Sequence, residues 1–415
     1  MLFFYRIVIN LTLLISPLII IYRLLKKKED PKRFLEKYTI TEKKNFEGDL
    51  IWFHGSSVGE ILSIIPLVEK YEKRKSIKKI LITSNTLSSS KVIKKLKLKK
   101  TFHQFFPLDS EFLVEKFLNY WKPKIVIFID SEIWPNTLIK IKEKNIPLIL
   151  LNGRITKKSF EKWKKILSFS KKIFSNFDLC LGQNNQSCNY LKALGAKKIK
   201  KLGNLKFSQS SDELKNKSDS KIKNFLKNKN IIFTAVSTHY GEELLCTKAY
   251  INLKKKFKNV ILIIIPRHVH RSNEIKEELS SLGMNIHLHS SKKVIKNSTD
   301  IYLVDTFGET KSFLKLSKIA FIGKSLNANG GQNPLEAARL GNRIIHGPNV
   351  ENFTEVYDYL KKLGISSKIK SYKNLEDLTF KFYKKKNYSQ QIIKKLTYIG
   401  NQILLKNEKE INKYL

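Results

Sequence analysis

The sequence predicts an α/β fold in which two doubly wound parallel sheets follow an apolar N-terminal helix. From residue 50 onward, short runs of β-branched and other apolar residues alternate with amphipathic helical segments. The alternation stops at the polar stretch 208–230 and then starts again, which indicates two successive domains. Near-continuous apolar strands separated by helices are typical of parallel strands that are buried on both faces.

The amino-acid composition and net charge limit the classes of function that the protein can have. The chain has 415 residues, 42% of them hydrophobic, so it is too apolar for a disordered polycation and long enough for two or three domains. Its formal net charge of +43 favours an anionic partner: nucleic acid, lipid headgroups, or an acidic or phosphorylated substrate. The alternative is a compositional bias toward lysine, because the lysines are scattered through nearly every segment. Three cysteines without C-x-x-C spacing favour a reducing cytoplasm over a disulfide framework.

Residues 2–25 form the first predicted element, an apolar helix. Its uncharged part, Ile7 to Tyr22, has 16 residues, fewer than the roughly 20 of a spanning helix unless Arg6 and Arg23 extend to the interface. No small-residue cleavage site follows, as a signal peptide would need. The alternative to a spanning anchor is a helix docked on the protein or lying in the membrane interface. By the positive-inside rule, the basic residues after this helix place the rest of the chain in the cytoplasm. These basic residues are Lys26, Lys27, Lys28, Lys32 and Arg33.

The remaining elements follow in two sets. The predicted strands of the first set are 50–54, 79–83, 124–129, 147–151 and 178–181, and those of the second set are 231–236, 260–265, 301–304, 319–322 and 343–346. Helical patterns such as 242–257 and 333–340 separate them. The predicted domains are therefore an anchor helix 1–25, an N-terminal domain 26–207 and a C-terminal domain 208–415 with terminal helices. In such folds a ligand lies in a cleft at the carboxyl ends of the strands.

A carboxylate follows the first strand. In the string Ile51-Trp-Phe-His-Gly-Ser-Ser-Val-Gly-Glu60, an apolar strand runs into a Gly/Ser loop, and Glu60 falls in the first turn of the next helix. Ser57-x-x-Glu60 is also a capping-box pattern, so a purely structural role is one interpretation. The functional interpretation is a carboxylate at the cleft that acts as a general base.

A second acidic site follows strand 124–129. Asp130 and Glu132 stand two residues apart directly after a buried strand, although Pro135 and Asn136 also suit a simple turn into a helix. Two cations, Arg154 and Lys206, lie in loops of the same half. In a chain this basic, each lone cation is equally consistent with a solvated surface charge.

In the second half of the chain, three candidate binding loops lie at the carboxyl ends of predicted strands. They are Ile265-Pro-Arg-His268, Asp305-Thr-Phe-Gly-Glu309 and Asn329-Gly-Gly-Gln-Asn-Pro-Leu-Glu336. The last is a glycine loop whose Pro334 suits the start of a helix, where backbone N–H groups bind anions, and Glu336 is placed to accept from ribose hydroxyls. It matches neither G-x-G-x-x-G nor the Walker A loop, so dinucleotide binding and ATP hydrolysis lose support. The histidines form no H-E-x-x-H motif, and we expect no metal site.

Taken together, these strings resemble the 3-deoxy-D-manno-octulosonic acid (Kdo) transferases of lipid A biosynthesis. Their order and spacing match from the N-terminal helix to about residue 355, and the ordered set is far more specific than any single string. The matching strings are His54-x-x-Ser57-Val-Gly-Glu60, Glu132-x-Trp134-Pro-Asn136, Asn152-x-Arg154, Gly203-Asn-Leu-Lys206-Phe, Ser237-Thr-His-x-Gly-Glu-Glu243, Pro266-Arg-His268, Asp305-Thr-x-Gly-Glu309, Gly330-Gly-x-Asn333-Pro-Leu-Glu336, Gly347-Pro and Asn352-Phe.

The resemblance implies a GT-B glycosyltransferase with two Rossmann-like domains. Such an enzyme moves Kdo from CMP-Kdo to the lipid A precursor, lipid IVA, with inversion, at the cytoplasmic face of the inner membrane. It implies Glu60 as general base, with Asp130 and Lys206 as transition-state stabilisers. The C-terminal domain would bind CMP through Pro266, Arg267, Phe307, Gly308, Glu309, Asn333, Pro334, Leu335 and Glu336. The expected partners are CMP-Kdo, lipid IVA and inner-membrane lipids, with no nucleic acid and no cofactor beyond the donor substrate.

Three positions depart from the family pattern. Asp130 replaces the usual Glu, Gln332 replaces the usual His, and Lys324 stands where a second Gly normally follows Gly323. Two other functions remain as alternatives: a GT-B transferase that uses a different nucleotide sugar, and a basic protein that binds membranes or nucleic acid. The second would need aromatic platforms among basic residues or a recognition helix, and the sequence shows neither.

Overall fold

The computed structural model describes residues 1–41, 48–96, 98–209, 220–227, 229–384 and 388–415. The chain divides into two compact units. The first unit comprises Met1–Ser210 and Ile399–Leu415, and the second comprises Ser211–Tyr398.

The first unit begins with a helix and continues as a regular alternation of strands and helices. In order these are α1 (Leu2–Leu25), β1 (Leu50–His54), α2 (Val58–Glu72), β2 (Lys79–Ser84), α3 (Leu87–Lys95), β3 (Thr101–Phe105), α4 (Glu111–Trp121), β4 (Ile125–Ile129), α5 (Pro135–Glu143), β5 (Leu148–Gly153), α6 (Lys157–Lys164), α7 (Leu167–Phe174), β6 (Leu179–Gly182), α8 (Asn185–Ala193) and β7 (Ile199–Lys201). The strands form one parallel sheet in the order β3-β2-β1-β4-β5-β6-β7.

Both faces of this sheet are buried, which explains why its strands are almost continuously apolar. Alternate side chains of β1 enter different apolar clusters: Trp52 packs with Phe117 and Phe128, while Phe53 packs with Ile64 and Ile127. The five strands predicted in this half coincide with β1, β2, β4, β5 and β6. The edge strands β3 (TFHQF) and β7 (IKK) went unpredicted because they carry polar residues and are short.

The second unit repeats the arrangement. Its elements are α9 (Ser220–Lys227), β8 (Ile231–Thr238), α10 (Glu242–Lys256), β9 (Val260–Pro266), α11 (Ser272–Ser280), β10 (Ile286–Leu288), β11 (Ile301–Leu303), α12 (Thr310–Leu316), β12 (Ile319–Ile322), α13 (Leu335–Arg339), β13 (Arg343–His346), α14 (Thr354–Lys362), β14 (Ser366–Lys368), α15 (Tyr372–Tyr383) and α16 (Tyr388–Ile411). The parallel sheet has the order β10-β11-β9-β8-β12-β13-β14. Residues 210–219 and 228 of the polar stretch 208–230 lie outside the described residues.

The C-terminal part of the last helix belongs to a different unit from the one that the sequence predicts. Residues 399–415 group with the first unit, although the sequence analysis assigned them to the C-terminal domain. The reason is apolar packing: Leu404 and Ile411 are buried in the core cluster of the first unit. Gly400 lies so close to the backbone of Phe207 that a Cβ would come within 2.2 Å of its carbonyl oxygen.

Each sheet has one point where the strand order reverses. In the first sheet this point lies between β1 and β4, and in the second it lies between β8 and β12. Loops that leave neighbouring strands in opposite directions open a crevice there, and this crevice is where doubly wound folds bind ligands. The acidic strings of the first half and the glycine loop of the second half both leave strands at these points.

Helix α1 is the one described helix that is long and apolar enough to cross a membrane. It runs for 24 residues and continues through Pro17. The core helix of a soluble protein and a signal sequence can have the same length and apolar composition.

Candidate active site

The carboxylate of Glu60 lies at the carboxyl end of β1, in the first turn of α2. Ser57 caps this helix and donates from its hydroxyl to Glu60 Oε1 at 2.8 Å, while the backbone N–H of Ser56 donates to Oε2 at 2.7 Å. Burial raises the pKa of Glu60, and the charges of Glu132 and Asp130 raise it further, against the lowering effect of its hydrogen bonds. The predicted capping interaction therefore exists, and it fixes a half-buried carboxylate whose pKa lies above the ordinary value.

Glu132 is held by a hydrogen-bond relay that starts in the core. Its Oε2 is 3.2 Å from His54 Nε2 and accepts from the Trp134 indole N–H at 2.8 Å. Burial lowers the pKa of His54, so its imidazole is neutral near pH 7. A neutral imidazole that donates through Nε2–H accepts at Nδ1, which is 2.9 Å from the Thr83 hydroxyl.

The same hydrogen bonds explain why Glu132 is ionised. The Thr83 oxygen accepts from the indole N–H of Trp52 at 2.9 Å, and its hydroxyl proton has two acceptors within reach, His54 Nδ1 and the carbonyl oxygen of Phe53 at 3.5 Å. Burial alone would raise the pKa of Glu132, but the hydrogen bonds from His54, Ser56 and Trp134 outweigh it and lower the pKa. Glu132 is thus a carboxylate held in its ionised form close to Glu60.

Asp130 ends β4 in a left-handed backbone conformation, with φ of +64°, which Asp tolerates better than most residues. It is 4% exposed, and its Oδ2 is 3.5 Å from Lys206 Nζ. Burial raises the pKa of Asp130, opposed by the charges of Lys206 and Arg154. Its other oxygen, Oδ1, is buried without a hydrogen-bond partner among the described residues. The structure therefore brings the predicted catalytic trio of Glu60, Asp130 and Lys206 to one crevice.

In the second unit, Glu242 organises the corresponding loops. This fully buried carboxylate accepts from the backbone N–H groups of His239, Lys324, Ser325 and Leu326 at 2.7–3.0 Å. It thereby joins the loop after β8 to the loop after β12. Gly323 has to be glycine, since a Cβ would lie 2.4 Å from the carbonyl oxygen of Ser237. Lys324, at the position of the family's second glycine, keeps the left-handed backbone with φ of +57°.

Cationic and imidazole groups converge above these loops. His239 and His268 have ring centroids 5.5 Å apart, and Arg267 is exposed directly after β9. Burial lowers the pKa of His239, and the positive charges of His268, Lys324 and Arg267 lower it further, against Glu242. The Nε2 atom of His239 is buried without a hydrogen-bond partner among the described residues. Such a cluster at a strand-order reversal suits a phosphate or carboxylate ligand.

The other predicted donor-binding residues lie in loops at the carboxyl ends of β11 and β12. Phe307 is 81% exposed, Gly308 has φ of +90°, and Glu309 precedes α12. The side chain of Asn333 accepts from the backbone N–H of Leu335 at 3.1 Å. Glu336 is exposed near Lys311, with 3.8 Å between the charged atoms. The predicted donor residues thus lie at or just beyond the carboxyl ends of β9, β11 and β12: Pro266 and Arg267, then Phe307 to Glu309, then Asn333, Pro334, Leu335 and Glu336.

Sequence reasoning missed Thr83, Trp52 and Glu242 as members of these sites. Thr83 and Trp52 sit in apolar strands and carry no motif of their own. Glu242 was visible as part of Ser237-Thr-His-x-Gly-Glu-Glu243, but nothing in that string distinguishes it from its neighbour Glu243. Among the residues that the structure describes, no three His, Cys, Asp or Glu side chains group as a metal site would require.

Comparisons with known proteins identify relatives over most of the chain. Residues 32–209 match the family model described as 3-deoxy-D-manno-octulosonic-acid transferase (kdotransferase). The chain is 35% identical to the 3-deoxy-D-manno-octulosonic acid transferase of Rickettsia bellii over 353 residues, covering 85% of this chain and 84% of that protein. It is 30% identical to the transferase of the same name from Haemophilus influenzae, covering 86% and 84%.

A solved structure matches the fold over most of the chain. It is the putative UDP-N-acetylglucosamine 2-epimerase of Listeria monocytogenes, with a TM-score of 0.61 and 13% identity, covering 88% of this chain and 98% of that one. At this identity the likeness concerns the fold alone. The prediction of a GT-B fold with two Rossmann-like units is confirmed.

Proposed function

The chain belongs to the 3-deoxy-D-manno-octulosonic acid (Kdo) transferase family, and from that membership we propose that it moves Kdo from CMP-Kdo to lipid IVA with inversion at the anomeric carbon. The predicted family is confirmed, and the protein is a glycosyltransferase. The donor, the acceptor and the stereochemistry are the proposed parts.

One observation carries the mechanism: a half-buried carboxylate of raised pKa, Glu60, is fixed at the strand-order reversal of the first unit. In the proposed reaction Glu60 takes the proton of an acceptor hydroxyl as the hydroxyl oxygen attacks the anomeric carbon of Kdo. The bond from that carbon to the phosphate oxygen breaks, and CMP leaves with the electron pair. A base of raised pKa is more effective near neutral pH than an ordinary carboxylate.

Asp130 and Lys206 have complementary parts in this proposal. Lys206 provides positive charge beside the reacting groups and balances the negative charge that develops on the departing phosphate. Asp130, 3.5 Å from Lys206 Nζ, orients that ammonium group. Its side chain is one methylene shorter than the family's usual Glu, and the contact with Lys206 supports the proposal that Asp performs the same role here.

The donor belongs to the second unit in this proposal. Arg267, Lys324 and the two histidines, His239 and His268, hold the phosphate of CMP and the carboxylate of Kdo, both of which are anionic. The loops at Phe307 and Asn333 bind the nucleoside, with Glu336 on the ribose hydroxyls. We propose that no metal or other cofactor takes part, because the leaving group carries a single phosphate that Arg267 and Lys324 can neutralise.

We propose that the enzyme works at the cytoplasmic side of the inner membrane, attached through α1. The apolar surface of this helix and the lysines that follow it support the attachment. The acceptor is itself an amphiphile of that membrane, so enzyme and substrate would share one surface.

The test is transfer from CMP-Kdo to tetraacylated lipid A precursor in detergent, followed by mass spectrometry. Glu60→Gln keeps one oxygen that can accept from the Ser56 N–H, and its NH2 group can donate to the Ser57 hydroxyl oxygen, but it cannot take a proton. We therefore expect transfer to fall by about 100- to 10,000-fold. CMP binding should persist, and Glu69→Gln on the same helix should retain full activity. Wild-type activity should also survive EDTA.

Each arm can contradict a different part of the proposal. Full activity of Glu60→Gln would exclude it as the base. No product from the wild-type enzyme would exclude the donor–acceptor pair, and the mass of any product counts the Kdo units added. Loss of activity in EDTA that Mg²⁺ restores would contradict the metal-independent reaction.

A further inference from the structure

Helix α1 contacts the first unit through one face along its whole length. Its less exposed residues recur every three or four positions, the spacing of a single helix face. We call them the docked face: Leu2, Tyr5, Ile9, Leu13, Ser16 and Ile20. Leu2 and Tyr5 pack against an apolar core cluster of the unit, so α1 lies alongside the folded protein and does not project from it.

Polar contacts hold the docked face near both ends and in the middle. The Tyr5 hydroxyl donates to Asp109 Oδ2 at 2.6 Å, and the Ser16 and Tyr38 hydroxyls are 2.7 Å apart. Near the other end, Arg23 Nε donates to Glu29 Oε1 at 2.6 Å. Tyr5 and Arg23 are 18 residues apart, about 27 Å along the helix axis, so the contacts cover nearly the thickness of a bilayer core.

The opposite face of α1 is apolar and exposed. Phe3, Ile7, Leu14, Leu18 and Leu25 are between 40% and 77% exposed. A contiguous apolar surface of this length on a folded protein marks an interaction site. Three lysines that follow the helix, 26–28, are exposed at its end and complement an anionic lipid surface.

A spanning orientation conflicts with these contacts. Asp109 and Glu29 are 3% and 2% exposed and lie near opposite ends of α1. If α1 crossed the bilayer with its contacts intact, these carboxylates and the elements around them would enter hydrocarbon, where charge is strongly disfavoured. If α1 left the unit in order to span, Tyr5 and Ser16 would lose their partners Asp109 and Tyr38.

We propose that α1 lies in the plane of the membrane interface, with its docked face on the first unit and its exposed face in an anionic lipid surface. The inference rests on the membrane attachment proposed above and specifies its geometry. One unit and its helix then form a single membrane-facing body, and the chain does not cross the bilayer through α1.

This orientation also indicates where the acceptor lipid would reach the acidic crevice from the membrane. Near the N-terminal end of α1, Arg6 Nε donates to Asn136 Oδ1 at 3.2 Å, and its Nη2 is 2.7 Å from Glu111. Asn136 follows directly on the loop that carries Glu132 and Trp134. Phe112, next to Glu111, is 72% exposed and extends the apolar surface there. An amphiphile that moves in the interface therefore meets the acidic crevice beside this end of α1.

The experiment measures how deeply three positions on one face of α1 lie in a lipid bilayer. Phe3, Leu14 and Leu25 are eleven residues apart, three helical turns, and so share a face. Each is replaced by cysteine in a full-length Cys188→Ser background, in which the remaining Cys180 and Cys246 are buried. A fluorophore is attached, the protein is bound to vesicles of phosphatidylethanolamine and phosphatidylglycerol, and quenching by brominated lipids gives the depth. Val294→Cys, 87% exposed on the second unit, is the aqueous control.

We expect the three helix positions to report one shallow depth, the same within error, and the control to show no quenching by lipid. A label at Leu14 deep in the bilayer, with Phe3 shielded from aqueous quenchers on the protein's side, would establish spanning and overturn the proposal. Failure of the wild-type protein to sediment with the vesicles would overturn both attachment and orientation. The transfer assay in detergent would still judge the proposed reaction separately.

A charge exchange tests the docking itself. Arg6→Glu faces Glu111 and should release the N-terminal end of α1, so that the depth at Phe3 departs from the depth at Leu25. The double variant Arg6→Glu, Glu111→Arg should restore equal depths. Unchanged depths in Arg6→Glu would show that this contact does not hold the helix, against the proposal.

Discussion

Glu60, the residue proposed as general base, also makes the helix-capping contact that the sequence offered as the alternative interpretation. The capping box of α2 requires an acceptor three residues after Ser57, and the same geometry holds the carboxylate at the crevice. The capping contact holds the side chain in one orientation, as the proposed proton transfer to Glu60 requires. The pKa of Glu60 nevertheless depends on neighbours that lie far away in sequence, Asp130 and Glu132.

Replacing Glu132 by Gln should move the acid limb of the pH–activity profile to lower pH. Burial and two negative charges raise the pKa of Glu60, while Ser57 and Ser56 lower it by hydrogen bonding. A base works in its deprotonated form, so activity rises with pH through this pKa. Removing one negative charge lowers the pKa, and activity then persists at a more acidic pH.

The profile of kcat/KM between pH 4 and pH 9 measures this effect. Glu143→Gln, at an exposed carboxylate on α5, is the control and should leave the limb in place. An acid limb at the same pH in Glu132→Gln and the wild type would contradict the assignment of that limb to Glu60.

The residues proposed as catalytic stand out in the sequence, but their electrostatic surroundings do not. Glu60, Asp130 and Lys206 stand in strings that resemble a known family. The relay from Trp52 through Thr83 to His54 and Glu132 joins three strands, and its hydrogen bonds depend on register. Only the fold reveals that a threonine in an apolar strand is a hydrogen-bond partner of a buried histidine.

Strands were predictable when they were buried on both faces. The central strands β4 and β9 read as unbroken apolar runs, and β1 and β8 are mostly apolar, because helices cover both sides of the sheet. The strands β3, β7, β10 and β14 were missed. All are at or next to a sheet edge, and three of them have only three residues, too few for a periodic signal.

At the level of elements, Glu242 at the start of α10 supports the loop after β12. Glu242→Ala would leave four backbone N–H groups without their acceptor. Each unsatisfied buried donor costs about 1–3 kcal/mol, and water that enters the vacated space recovers part of it, so we expect a loss of about 3 kcal/mol. Because Lys324 moves with this loop, affinity for CMP should fall at least about tenfold, the equivalent of about 1.4 kcal/mol.

Thermal unfolding and calorimetric titration with CMP measure the two effects. Glu274→Ala removes an exposed carboxylate on α11 and should change stability by no more than about 0.5 kcal/mol. Wild-type affinity for CMP in Glu242→Ala would show that this loop does not bind the nucleotide.

For the molecule as a whole, the charge of +43 now has a partial explanation. An acidic sugar nucleotide, a phosphorylated glycolipid and an anionic membrane are all anions, and the proposed function requires each of them. The lysines at 26–28 follow the membrane helix and stand closest to such a role. Most other lysines are spread over both units, as compositional bias would place them.

Exchange of Lys26, Lys27 and Lys28 for Gln should weaken binding to anionic vesicles by about 3 kcal/mol at low salt, about 1 kcal/mol for each residue. The difference should shrink in 0.5 M NaCl, because salt screens exposed charges. Co-sedimentation with phosphatidylglycerol vesicles measures it. The matched control exchanges three exposed lysines of the second unit, Lys361, Lys362 and Lys381. Equal losses in both triple variants would mean that net charge alone, and not the basic cluster, governs binding.

The return of residues 399–415 to the first unit has a consequence for biosynthesis. Leu404 and Ile411 complete an apolar cluster whose other members come from residues 51–205, yet the ribosome makes them only after the entire second unit. The core of the first unit therefore remains incompletely packed until the nearly two hundred residues of the second unit have left the ribosome. We expect a chain that stops at residue 398 to expose that cluster to proteases, while the second unit resists digestion. Limited proteolysis of nascent chains arrested at different lengths measures this order of folding, and protection of the first unit before residue 411 emerges would contradict it.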